Sequence, residues 1–303
     1  MGYLKQITAG FLSIIAIPIT SIGASAQTQL HEVTIPGTQS LLVHSNIINR
    51  DYKISVSLPE EYDAKSNKKY PVLLVLDGNS YFATTVQSYR VQRIGNDVPP
   101  LVIVGIEYPT LRRDEWLVRR AGEFTHTKVA DFDKSYTEQY GMPVTSGEGA
   151  TFMRVINEEI IPMIEKQYPV SSDRALFGHS LGGLFATNSL LDSNRTFSRY
   201  IISSPSLWWD DEVAFKWAEA YDNKNNVLNA TVMLSVGSLE GPQMVPPMER
   251  MSIVLKASQY EGLDITTHVF DNETHLSVQP ATLSRGLRVI YAKDIAAMKA
   301  QAE

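Results

Sequence analysis

A doubly wound α/β fold, with a mostly parallel sheet and helices on both faces, is predicted for this 303-residue chain by three observations. Short β-branched aliphatic runs recur along the sequence. Segments of helical periodicity stand between them. The runs at Val72–Leu76 and Leu101–Ile106 are apolar throughout rather than alternating, the pattern of strands covered on both faces. The length suits one domain with a core large enough to need no covalent staples.

The first 26 residues stand apart from that fold. Lys5 supplies a positive charge, Phe11 to Ile22 is almost free of polar groups, and Ala24-Ser25-Ala26 follows as a small-x-small pattern. This is the three-part shape of a secretory signal peptide, with cleavage expected before Gln27. The apolar stretch is shorter than the roughly 20 residues that cross a bilayer, and Pro18 interrupts it. Residues 27–303 are therefore expected to form one exported domain, periplasmic or secreted, without stable membrane insertion.

Within that domain, Tyr52–Leu58 alternates apolar and polar residues, as a strand with one wet face does. Ala175–Phe177, Tyr200–Ser203, Val232–Val236 and Thr266–Phe270 are further strand candidates. Thr151–Gln167 carries Phe152, Val155, Ile156, Ile160 and Ile164 near the helical period and stops at Pro169. Leu184–Leu191 and Pro247–Tyr260 also read as helices. Pro109–Gly149 is long, charged and weakly periodic, which predicts a lid or mobile loop.

Composition excludes several classes of function. With no cysteine, thiol catalysis, disulfides and Cys-ligated zinc are ruled out. A formal net charge of −6, without a basic stripe carrying interleaved aromatics, argues against nucleic acid as a partner. No metal or organic cofactor is implied, and the sequence does not reveal an oligomeric state.

Gly178-His179-Ser180-Leu181-Gly182 matches G-x-S-x-G between a predicted strand and a predicted helix. In an α/β-hydrolase fold, that turn holds a nucleophilic serine in a strained backbone conformation with its hydroxyl raised above the sheet. Glycines at 178 and 182 are expected to relieve the crowding, and Gly183 to let the helix pack closely. Chain order in this fold is nucleophile, acid, histidine, and His275 follows Ser180 in the loop after the strand candidate ending at Phe270, where the base is expected. Glu240, directly after Val232–Gly237, is the favoured acid; Asp210, Asp211 and Asp271 compete, and a Ser–His dyad is the fallback. An oxyanion hole is expected from the N–H of Leu181 and from the turn Asp77-Gly78-Asn79, where Gly78 would let substrate approach the backbone. Trp208 and Trp209 are candidate walls for an aryl or acyl group. Arg112, Arg113, Arg119 and Arg120 are candidate contacts for anionic substrate groups.

These blocks resemble the esterase family that includes esterase D and the siderophore esterases, over most of the mature chain. Tyr70–Gly78, Glu158–Pro162, Phe177–Leu184, Ser204–Asp210 and the His275 region through Arg288 carry the resemblance, with Ser-Pro-Ser-Leu-Trp-Trp-Asp the most specific. The exported enterobactin-esterase branch is the most similar. The resemblance implies hydrolysis of lactone esters of a catecholate siderophore, with Ser180 and His275 on the catalytic positions and Glu240 on the acid position. The family's Arg-x-Arg-Asp-aromatic-Thr-Pro stretch is incomplete here. Its nearest matches are Arg112-Arg113-Asp114 and Arg119-Arg120 before Glu123-Phe124-Thr125, with His126 in place of proline. A short-chain or aryl-acyl carboxylesterase, and a non-catalytic binding protein on the same fold, remain the alternatives.

Overall fold

The computed structural model describes residues 34–302; the segment expected to be a signal peptide and its expected cleavage point lie outside them. Residues 35–302 form one compact unit. Eight strands make a single sheet in the order β1-β2-β4-β3-β5-β6-β7-β8. They are β1 (Thr38–Ser45), β2 (Arg50–Ser57), β3 (Tyr70–Val75), β4 (Val102–Glu107), β5 (Val170–His179), β6 (Arg199–Ser203), β7 (Val227–Gly237) and β8 (Glu261–Phe270). β2 runs antiparallel to β1 and β4, and the pairs from β4 through β8 are parallel. The expected mostly parallel sheet is therefore present, with an antiparallel hairpin at one edge. Among the described residues no helix is long and apolar enough to cross a membrane.

The period of two along each strand divides the core into two layers. Leu73, Val75, Ile103, Ala175, Phe177, Ile201 and Met233 face one side. They meet α1 (Gly78–Ile94) and α9 (Gln279–Ile290) through Phe82, Val86, Leu283 and Leu287. Val72, Leu74, Val104, Leu176, Ile202, Val232 and Leu234 face the other. That side is covered by α4 (Gly149–Val155), α5 (Ile161–Gln167), α6 (Leu181–Leu190), α7 (Trp209–Asp222) and α8 (Val245–Ala257). A π-helical turn at Ile156–Ile160 joins α4 to α5. α10 (Ala292–Ala302) ends the chain against α9. Burying both faces is what removed polar alternation from the central strands.

The segment expected to be a loop is largely helical. It holds α2 (Arg113–Glu123) and α3 (Ala130–Tyr140). α2 packs against α4 and α6, with Ala121 and Phe124 in the core. Its helical period is present at Leu117, Arg120, Ala121 and Phe124, but two charged residues, Arg120 and Glu123, occupy buried positions. Charges on the inner face disguised the pattern, because each is paired where it is buried.

Candidate active site

The parallel strands deliver their following loops to the same end of the sheet, where ligands bind in this architecture. Val75 pairs with Phe177, His179 with Ser203, Ser203 with Ser235, and Gly237 with Phe270. The residues that follow are thereby brought side by side: Asp77, Ser180, Ser204, Glu240 and His275.

Ser180 sits at φ 61° and ψ −120°, a conformation that L-residues rarely adopt and that costs on the order of 1–3 kcal/mol. Backbone bonds hold it there. Ser180 N donates to Ser203 O at 3.1 Å, and Ser180 O accepts from Leu184 N at 3.0 Å and Ser206 N at 3.0 Å. Two glycines make room for the turn. A Cβ on Gly178 would lie 2.1 Å from Gly182 O, and one on Gly183 would lie 2.9 Å from Pro205 Cα and Ser203 O. The expectation for Gly182 fails: its nearest contact would be an ordinary 3.6 Å. The second steric requirement falls on Gly183, whose helix presses on the β6 loop.

Glu240 is sealed from solvent, with no exposed side-chain surface. Its Oε1 accepts from Ser204 Oγ at 2.6 Å and from Gly237 N at 2.7 Å. Its Oε2 lies 2.6 Å from His275 Nδ1. The rival acids are elsewhere: Asp210 and Asp211 open α7, and Asp271 is exposed and bonds Asn272. Among the described residues no hydrogen bond joins Ser180 to His275. Ser180 Oγ has Ser206 Oγ at 3.4 Å instead, and catalytic bonds of this kind often tighten only with substrate bound. His275 nevertheless stands beside the serine turn, its ring centroid 4.5 Å from that of His179.

Leu181 is the first residue of α6, while Gly78 and Asn79 open α1. The first N–H groups of a helix have no partner within it, and the helix end favours negative charge. The role expected for Gly78 is revised. A Cβ there would meet Glu107 Cγ at 2.6 Å and Ile106 O at 3.1 Å, so its glycine is required by the end of β4 rather than by a substrate. The Asn79 side chain is committed to the turn, exchanging bonds of 2.9 and 2.8 Å with the Tyr108 backbone.

Arg120 is buried at the meeting point of these loops. Its Nε and Nη2 bond Asp77 Oδ1 and Oδ2 at 2.8 and 2.9 Å, and Nη2 reaches His179 O at 3.3 Å. Burial pushes the Asp77 carboxyl up, against the pull of Arg120, yet the bidentate geometry is that of an ionised pair. Arg119 does not reach the mouth. Its guanidinium lies over Tyr52 and Tyr108, 4.9 and 4.6 Å from the ring centroids, with Glu123 Oε1 at 3.5 Å. Arg112 is exposed and paired with Asp114 and Glu115 at 2.6 and 3.2 Å. Arg113 is exposed at the start of α2.

The two tryptophans divide. Trp209 is 1 % exposed, bonds Thr127 Oγ1 through Nε1 at 3.0 Å and meets Phe132 edge-on, so it belongs to the core and not to a substrate wall. Trp208 is 40 % exposed. Ser204 and Ser206, which hold the acid and flank the serine, were not singled out as single residues in the sequence. They lie inside the Ser-Pro-Ser-Leu-Trp-Trp-Asp block, which was the available signal.

Residues 45–277 match the family model described as "Putative esterase". The ferri-bacillibactin esterase BesA of Bacillus subtilis is 32% identical over 278 residues, covering 86% of this chain and 92% of that protein. The siderophore triacetylfusarinine C esterase of Aspergillus fumigatus is 26% identical over 289 residues, covering 86% and 94%. The crystal structure of the BES protein from Bacillus cereus superposes with a TM-score of 0.76 at 31% identity, covering 87% and 99%.

Proposed function

The chain belongs to this esterase family and is a serine carboxylic-ester hydrolase, and we propose that it cleaves siderophore esters through an acyl-enzyme on Ser180. The observation that carries the site assignment is the bond from His275 Nδ1 to the buried Glu240, beside a serine held at positive φ. Glu240 holds His275 with its proton on Nδ1, leaving Nε2 free to take the Ser180 proton as Oγ attacks the ester carbonyl. The oxyanion meets the N–H of Leu181 and the first amides of α1 at Gly78 and Asn79. His275 then protonates the leaving alcohol and draws a proton from the water that releases the acid. Trp208 offers an exposed face to an aromatic part of the substrate. Arg112 and Arg113 extend the positive field toward solvent, and Arg113 carries the larger share because two carboxylates already neutralise Arg112.

That the two relatives above are named siderophore esterases supports an ester-linked iron chelator, rather than a simple ester, as the substrate of this chain. A hydrolysis panel of p-nitrophenyl, feruloyl and catecholate-trilactone esters tests this. The trilactone should give the highest kcat/KM, and preference for a p-nitrophenyl ester would instead mark a general carboxylesterase. In the same panel Ser180→Ala should lose at least about a thousandfold in kcat, and retention of a tenth of the activity in folded protein would remove Ser180 from the mechanism. Arg113→Ala should raise KM for an anionic ester and leave a neutral one unchanged; equal KM values would dismiss its contact. We also propose export, with residues 1–26 removed as a signal peptide. N-terminal sequencing of the protein from culture medium or periplasm should begin at Gln27, and an intact Met1 there would contradict it.

A further inference from the structure

We propose that His179 and Gln279 are positioning residues for His275, a buried clamp that fixes the base relative to the nucleophile. This rests on His275 being that base. Both side chains are buried, His179 at 2 % and Gln279 at 5 % exposure. Gln279 Nε2 lies 2.6 Å from the carbonyl oxygen of His275 and 3.0 Å from Nε2 of His179.

The chemistry of these atoms fixes the arrangement. A backbone carbonyl can only accept, so the amide nitrogen of Gln279 and not its oxygen must face His275. That nitrogen has two hydrogens and accepts nothing, so His179 Nε2 must be the bare ring nitrogen. The proton of His179 is then on Nδ1, which donates to Ser203 Oγ at 3.0 Å. Ser203 Oγ bonds Thr282 Oγ1 at 3.4 Å, and Thr282 Oγ1 has Ser235 Oγ at 3.1 Å. His179 is thus neutral in a single tautomer. Burial, followed by the neighbouring His275 and Arg120, acts in the same direction by holding its pKa well below the ordinary histidine range.

Two consequences follow for the reaction. The Glu240 bond grips His275 at one ring atom, about which the ring can still pivot. Gln279 adds a hold on the main chain, and the His179 ring covers one side. Gln279 opens α9, which is seated on the sheet by Leu283 and Leu287, so the anchor is rigid. His179 also immediately precedes Ser180, so one side chain couples the strand that carries the nucleophile to the loop that carries the base. Moreover, an imidazolium forms at His275 during attack. A neutral neighbour at this separation tolerates it, whereas a charged one would repel it.

The test is Gln279→Leu, which removes both donors, assayed with p-nitrophenyl butyrate alongside melting curves. We expect kcat to fall about 10- to 100-fold, the scale of a small misplacement of a catalytic group, with KM within about twofold. The single variant also orphans His179 Nε2 and will melt earlier. The double variant Gln279→Leu/His179→Phe replaces both partners by apolar groups and, although Ser203 Oγ loses its bond from His179, leaves that hydroxyl its bond to Thr282; it should recover much of the Tm, but not kcat, because the His275 carbonyl is still unheld. A Gln279→Leu kcat within threefold of wild type overturns the proposal. So does a kcat that recovers together with Tm in the double variant, since the pair would then serve stability alone. If His275→Gln keeps wild-type activity in this assay, the underlying assignment of the base fails, and that result is distinct from either outcome above.

Discussion

Replacing Glu240 by glutamine is the sharpest perturbation the site offers, because the hydrogen bonds dictate which way the amide must turn. Oε1 faces the N–H of Gly237, a group that can only donate, and the hydroxyl of Ser204. The glutamine oxygen must therefore take the Oε1 place. Its NH2 is left facing His275 Nδ1, where the carboxylate had accepted at 2.6 Å. Two donors cannot meet there, so the imidazole moves its proton to Nε2 and loses the lone pair that serves Ser180. In a serine protease the same buried carboxylate-to-amide change costs about 10⁴ in kcat through the wrong tautomer, equivalent to about 5 kcal/mol in the barrier. A loss of 10³–10⁴ in kcat is expected here, with KM nearly unchanged and Tm little altered, because the Gly237 and Ser204 bonds survive. The assay is hydrolysis of p-nitrophenyl butyrate by the purified variant beside Asp210→Asn and Asp271→Asn. Activity within tenfold of wild type for Glu240→Gln, or a comparable collapse in either aspartate variant, would refute the reasoning.

Three further outcomes are expected. Gly183→Ala should destabilise the fold or abolish expression, whereas Gly182→Ala should melt within a few degrees of wild type; the reverse order of Tm values would contradict the steric assignment. Arg120→Met leaves Asp77 buried without its partner and should cost about 3–5 kcal/mol of stability in denaturant unfolding, while a loss below 1 kcal/mol would mean that the pair is not closed in solution. His126, packed between Phe185 and Trp217, is pushed down to about 4 by burial. A depressed histidine binds its proton more readily when unfolded, so its contribution is full above about pH 6.5 and is lost as pH falls toward 4. Between pH 7 and 4.5 this amounts to roughly 2–3 kcal/mol, and His126→Phe should flatten that part of the stability profile; an unchanged slope would dismiss the assignment.

The central strands could be read because burial on both faces leaves long aliphatic runs, and the elbow because its steric demand writes glycines at fixed offsets. β1 was not recognised, since an edge strand with partly wet residues carries a weak signal. α1 was missed for a related reason: its buried face includes Thr85, Tyr89 and Gln92, and it is polar on average. The candidate site was legible to the extent that chain order picked out Ser180, His275 and Glu240, which the fold brings to one end of the sheet. It was not legible where a contact depends on register between strands. Nothing local marks Ser204 as a partner of Glu240 or Gln279 as a partner of His179. Arg120 was picked out by its charge but placed at the solvent mouth, and only packing of α2 shows it turned inward.

The polar contacts that fix Ser180, Glu240 and His275 come from β5 to β8, their loops, α6 and α9. The α2–α3 segment adds one charged group to this apparatus, the Arg120 guanidinium on Asp77 and the His179 carbonyl, while Ala121 and Phe124 seat the segment in the core. Such an arrangement separates two kinds of evolutionary change. Substitutions at the exposed positions of residues 109–149 can resculpt what enters the site while Arg120, Ala121, Glu123 and Phe124 keep their buried places, so the stretch can diverge there without rebuilding the hydrolytic apparatus beneath it.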